Sequence, residues 1–234
     1  MPPFPTPSAP LPRRTRLLLA CGLSAPLFLV VLLVEGALRP GYEPLHRFGS
    51  ELALGDRGWV QTANFVGTGL LVLAFSAGLH RSLTPGRGSR ALPLLTALTG
   101  ACLVVAGVFP TDPLVDGATA GEPTLAGTLH TANVLPFHAA LAGAALVAAW
   151  RARTGAGQRA WAWYCLGTGA LVLASFALSM ALAGDGFHGL WQRIALAAGL
   201  GWCAATAWRS LHSPGPQHDF GFRRKGMDGT PDAC

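Results

Sequence analysis

Apolar stretches of bilayer length recur along this chain, and they restrict its possible folds more than any other feature. Crossing about 30 Å of hydrocarbon takes about 20 residues of helix. Six stretches qualify: Leu17 to Leu38, Trp59 to Leu79, Ala91 to Phe109, Leu125 to Trp150, Ala160 to Leu182 and Phe187 to Trp208. Backbone polar groups find no water in hydrocarbon and must bond within their own segment, which makes such stretches helical. The expected fold is therefore all-α, a polytopic membrane bundle of six transmembrane helices. Charged residues agree with this, at 12% of the chain, about half the share of a soluble domain.

The placement of charge gives an orientation. Of the 17 Lys and Arg residues, 13 fall in the N-terminal arm, the second and fourth gaps and the tail: Arg13, Arg14, Arg16, Arg81, Arg87, Arg90, Arg151, Arg153, Arg159, Arg209, Arg223, Arg224 and Lys225. The other four are Arg39, Arg47, Arg57 and Arg193. Eight of the 11 acids lie at or near the opposite side: Glu35, Glu43, Glu51, Asp56, Asp112, Asp116, Glu122 and Asp185. Cytoplasmic loops carry the excess of cations, so both termini are expected in the cytoplasm of a multi-pass cell-membrane protein whose first partner is the lipid bilayer. The formal charge of +6 does not mark a nucleic-acid binder, because the cations form short clusters between apolar runs. The first apolar stretch is too long for a signal-peptide core, and no convincing cleavage site follows it.

Residues 1–16 and 210–234, rich in Pro, Ser, Gly and charge, are expected to be disordered cytoplasmic arms around one six-helix domain at 17–209. On the outer side, the loop from Arg39 to Gly58 is expected to carry a short interfacial helix at Leu45 to Leu54. Pro110 to Pro123 forms the second outer connection, and Gly184 to Gly186 a tight third. Cys21, Cys102, Cys165 and Cys203 lie singly inside spans and Cys234 ends the chain, a pattern that offers neither an outer disulfide nor a zinc motif. Gly67 to Ala74 and Gly167 to Ala174 differ at one position in eight. Either the chain carries an inverted repeat of three spans, or small residues recur where helices approach closely.

Ionisable groups inside spans are costly, so each is a candidate for function. The passage from Phe109-Pro110-Thr111-Asp112-Pro113 to Gly127-Thr128-Leu129-His130 places an acid and a histidine where one span ends and the next begins. At about 100° per residue, His130, Asn133 and Phe137 share one helical stripe. His138, deeper, is expected to be neutral and bonded to a carbonyl of a neighbouring helix. Arg193 sits inside the sixth span and must find an anion or snorkel outward; Asp112 is the expected partner, with Glu35 and Asp185 as alternatives. Glu35, Asn64, Asp112, His130, Asn133, His188 and Arg193 thus collect in the outer third of the bundle. Polar groups converging in an apolar wall resemble a binding pocket, and a lipid headgroup or small anionic solute is the ligand expected. The alternatives are a structural or accessory membrane protein, and a hydrolase with a metal at Asp112, His130 and His188. A metal needs three ligands in fixed geometry, and these histidines are single and widely spaced, so neither metal nor cofactor is expected. Haem would require paired histidines at matched depth, for which only His130 and His188 come close. At the cytoplasmic level, His80 with Arg81 marks the interface, and Trp150, Trp161, Trp163 and Trp208 read as an aromatic belt.

Several of these motifs together resemble the bacterial membrane family numbered 998 among the domains of unknown function. The resemblance rests on Phe109-Pro110-Thr111-Asp112-Pro113, on Gly127-x-x-His130, on Asn64 with Gly67 before Gly78-Leu79, and on Gly189-Leu190-x-Gln192-Arg193, and it covers nearly all of residues 17 to 209. It implies a six-helix membrane domain and points to Asp112, His130 and Arg193 without supplying a reaction.

Overall fold

The computed structural model describes residues 10–115, 118–153, 157–184 and 186–212. Asp116, Asp185, Arg223, Arg224, Lys225, Cys234 and most of both expected arms lie outside the described residues. Helix α1 (Arg13–Ala20) starts four residues before Leu17, so the last part of the expected N-terminal arm is helical. A 3-10 turn at Cys21–Ser24 and then Pro26, which has no N–H to give, separate α1 from α2 (Leu27–Leu38). The remaining helices are α3 (Gly58–Ser82), α4 (Ala91–Val108), α5 (Leu125–Ala152), α6 (Arg159–Ala181) and α7 (His188–His212).

Among the described residues, five segments are long and apolar enough to cross a bilayer: 13–38, α3, α4, α5 and α6. Helix α7 has the length, 25 residues, but its first two turns carry His188, Gln192 and Arg193 and its last carries Arg209 and His212. Consecutive helices run antiparallel. The loops 39–57, 109–124 and 182–187 therefore gather at one end, here called distal, and the helix ends at Arg13 and His212 gather at the proximal end.

The bundle is packed for an apolar solvent. Large aliphatics such as Leu17, Leu27, Val30, Leu33 and Leu94 stay exposed, while alanines from Ala140 to Ala152 and neutral polar groups such as Gln61, Thr96 and Thr99 are buried. Without a hydrophobic drive between helices in lipid, close approach of small residues does the packing. The α3–α4 seam is the most extensive: a Cβ on Gly69 would lie 2.7 Å from the Gly100 carbonyl oxygen, and one on Gly100 would lie 2.8 Å from that of Gly69. Gly169, the counterpart of Gly69 in the near-repeat, faces Leu146 and Ala142 of α5. An inverted repeat would pair α6 with α7 as α3 pairs with α4, so the matching glycines serve close approach to non-equivalent neighbours. Between α6 and α7, the fully buried Trp202 donates Nε1–H to Cys165 Sγ at 3.3 Å.

Two distal loops depart from expectation. The interfacial helix shrinks to a 3-10 turn at Gly49–Ala53, because the Gly49 N–H is given at 2.7 Å to Gln192 Oε1 and the Phe48 N–H at 2.9 Å to Glu51, which leaves neither for a longer helix. The second loop contains a small hairpin, β1 (Leu114–Val115) antiparallel to β2 (Ala118–Thr119).

Candidate functional site

The charged and amide groups expected to form one cluster separate into four sets: Arg193, Asp112, Glu35 with Asn64, and Asn133. Arg193, buried on α7, does not meet Asp112. Its Nη1 donates to the carbonyls of Gly189 at 2.9 Å and Arg47 at 3.1 Å, and its Nη2 donates to Tyr42 Oη at 2.7 Å. The guanidinium also lies over the Tyr42 ring, 5.8 Å from its centroid. Among the described residues it makes no ion pair. Neutral acceptors suffice because a guanidinium can distribute its charge over several oxygens, and loop 39–57 supplies them by folding over the first turn of α7. Leu190 N–H, an orphan donor of that turn, goes to Leu45 O at 3.0 Å. Tyr42 Oη passes the bond on to Phe48 O at 3.0 Å. Burial pushes the Tyr42 phenol above its usual pKa, with Arg193 opposing the shift.

Asp112 belongs to a different device. Its carboxylate accepts Thr124 N–H at 3.0 Å and Thr124 Oγ1–H at 2.6 Å, and Thr124 Oγ1 in turn accepts Gly127 N–H at 3.0 Å as the N-cap of α5. A side chain at Gly127 would collide with the Asp112 carboxylate. One turn further, His130 Nδ1 meets Phe109 O at 2.8 Å, and since a carbonyl only accepts, Nδ1 carries the proton. The sequence from Phe109 to His130 is thus a clasp that closes the α4–α5 connection.

Two more of the expected residues fasten α2 to α3. Glu35 pairs with Arg57 at 2.5 Å, a bond that raises the Arg57 pKa, and Asn64 Nδ2 donates to Phe28 O at 3.0 Å. His188 packs its ring on Phe48 at 4.5 Å, and its carbonyl accepts Ser179 Oγ–H at 2.8 Å.

What remains open is neutral. A cavity of about 300 Å³ lies in the distal half of the bundle, between α2, α3 and α4 on one side and α5, α6 and α7 on the other. His130 and Asn133 line it, with Phe137 of the same stripe; Glu35, Asn64, Asp112, His188 and Arg193 do not. Asn133 Nδ2 donates across to Cys102 O at 2.8 Å. Other polar lining comes from Ser50, Thr111, Thr119, Thr131, His138, Ser179 and Gln192, and no Asp, Glu, Lys or Arg lines the cavity. His138 Nδ1 bonds Val134 O of its own helix at 2.9 Å rather than a neighbouring helix, because the i−4 carbonyl lies within reach of a histidine side chain turned back along its helix. Phe176 stacks on its ring at 4.4 Å and 17°.

The wall is thin between the distal halves of α5 and α6. Their proximal halves close through Gly169, but α5 contains Pro136 at the level of the cavity, and the lining residues Leu135 and Met180 are 61% and 42% exposed. In a bilayer that exposure is to lipid. Sequence reasoning missed Ser50, Thr119, Thr131, Ser179 and Gln192 as lining groups; Gln192 stands beside Arg193 in the Gly189-Leu190-x-Gln192-Arg193 motif, whereas the others carried no signal. Among the described residues, no group of three His, Cys, Asp or Glu is placed to hold a metal ion, so Asp112, His130 and His188 do not form one.

The model of the family described as "Protein of unknown function (DUF998)" matches residues 23–209. The chain belongs to this family. No curated protein matches it, and no solved structure does. The matched DUF998 region runs from the 3-10 turn before α2 almost to the end of α7, and so contains the clasp, the Arg193 anchor and every residue of the cavity.

Proposed function

We propose that this protein binds an uncharged, largely apolar molecule taken laterally from the bilayer into the distal cavity. One observation carries the reading: a cavity of about 300 Å³ whose lining is mostly apolar, holds several neutral hydrogen-bonding groups, and includes lipid-exposed residues of α5 and α6. Of the ligands expected from the sequence, this lining favours a lipid over a small anionic solute, since an anion in a low-dielectric cavity needs a cation beside it and none lines the wall. The bundle fits six spans with both termini cytoplasmic. Helix α7 is the sixth, its polar first turns held at the distal interface by loop 39–57, and the 13 clustered cations lie on the cytoplasmic side. The cavity then opens in the outer leaflet of a bacterial cell membrane. A purely structural role is the second reading, favoured by the bonding of Arg193, Asp112 and Glu35 within the fold.

Photo-crosslinking tests the choice. In reconstituted bilayers, a diazirine-bearing long-chain alcohol is expected to label peptides spanning 130–138 and 176–183, with excess unlabelled alcohol competing. Replacing both Leu135 and Met180 by Trp should cut that labelling at least about fivefold by filling the gap between α5 and α6. Labelling spread evenly over the lipid-facing surface without competition would favour the structural role.

A further inference from the structure

We infer that His138 Nε2 is the atom that recognises the ligand, and that the ligand class is a lipid alcohol. This rests on the cavity reading above. His138 is 4% exposed and lines the cavity. Its Nδ1 faces the Val134 carbonyl, which can only accept, so Nδ1 carries the proton and the neutral ring presents Nε2 as a lone pair. That Nε2 is buried and has no hydrogen-bond partner among the described residues. The ring cannot easily turn to find one: Phe176 stacks on one face, and Phe137 meets it edge-on at 4.9 Å.

A fixed, buried acceptor without a donor is costly, and most buried polar atoms are partnered. Because His138 lines the cavity, a molecule held there is the nearest source of that donor; Nε2 is itself closed off, so a hydroxyl reaches it by a small displacement of the Phe176 or Phe137 ring. The donor must be neutral, because no carboxylate or cation lines the cavity to offset a charge. It must also be carried on an apolar body, because Phe28, Leu103, Phe137 and Leu196 form much of the wall. A hydroxyl on a hydrocarbon chain meets all three conditions. The Gln192 amide, whose Oε1 is taken by Gly49 N–H, keeps its N–H₂ available for the hydroxyl oxygen.

The test is competition against the photoprobe by two lipid alcohols, farnesol and dioleoylglycerol, each against its own O-methyl ether, which keeps the shape and loses the donor. In the wild type at least one alcohol should compete about tenfold better than its ether, the worth of one buried neutral hydrogen bond, and the tighter alcohol names the source of the hydroxyl. In His138→Phe the gap between alcohol and ether should close, whatever the variant does to the affinity for both. The ¹⁵N resonance of Nε2 in the wild type, which needs no variant to fold, should shift on saturation with the alcohol and stay put with the ether. Equal competition by alcohol and ether, an Nε2 resonance unmoved by the alcohol, or a gap that survives in His138→Phe each overturns the role of His138 and leaves the cavity reading standing. No competition by any of the four removes the cavity reading, and this inference with it.

Discussion

The two sides of the distal end treat polarity in opposite ways. On the α7 side, charge is spent on backbone: Arg193 ties Arg47, Gly189 and Tyr42 together under loop 39–57. On the α5–α6 side, the polar groups are neutral, His138 Nε2 has no hydrogen-bond partner among the described residues, and a cavity lies between the groups. A buried charge in lipid has to be met by dipoles around it: Arg193 meets three of them through Nη1 and Nη2, its Nε has no partner among the described residues, and loop 39–57 closes over it. Neutral groups can remain partly unpartnered at smaller cost, which leaves the second side free to take a ligand.

Removing the guanidinium is the severest test of that division. Arg193→Met should leave three acceptors without their donor and destabilise the protein by about 3–4 kcal/mol, read from denaturant unfolding in detergent. If the division holds, protein that still folds keeps competitive photolabelling of the cavity; loss of labelling with little loss of stability would mean that Arg193 serves the ligand after all. Gly100→Leu attacks the α3–α4 seam, which belongs to neither side, and by forcing α3 and α4 apart it should cost about 2–3 kcal/mol. Asp112→Ala should cost about 1–2 kcal/mol through the lost support of the α5 N-cap, and Gly127→Ala should match it because both open the same clasp. A loss of cavity labelling in Asp112→Ala beyond what its unfolding explains would move Asp112 to the ligand side.

The helices and their order were legible because twenty apolar residues leave the backbone no alternative in lipid. The stripe of His130, Asn133 and Phe137 was legible for a similar reason, since helical periodicity alone sets it. The Arg193–Asp112 pairing failed on a point of chemistry. Sequence shows the charge but not the neutral acceptors, and Tyr42 with the carbonyl of Arg47 joins that of Gly189 at the guanidinium only because a loop 151 residues away in sequence, counted from Tyr42 to Arg193, folds over α7. Asp112 stood out through its motif as a cluster residue, whereas the motif encodes a capped helix start, with Gly127 small because a carboxylate occupies the space. The extent of the cavity left no trace beyond that stripe, as it is the space between α5 and its neighbours rather than any residue.

The smallest expected effect probes the closed side through pH. The Tyr42 phenol is held above its usual pKa mainly by burial, so in the folded state it keeps its proton to higher pH than in the unfolded state. With the folded pKa raised, the stabilising contribution is complete below the ordinary phenol value of about 10 and is lost as pH rises through the folded value, because the unfolded chain ionises first and gains. Arg193 limits the effect by favouring the phenolate. Unfolding midpoints measured from pH 8 to 11 should therefore fall more steeply in the wild type than in Tyr42→Phe, which starts lower for want of the hydrogen bonds to Arg193 and Phe48 but lacks this titration. A parallel pair of curves would mean that the ring is wetter than its packing under loop 39–57 implies. The closed side would then breathe as the cavity side does, and the contrast between them would be one of charge alone.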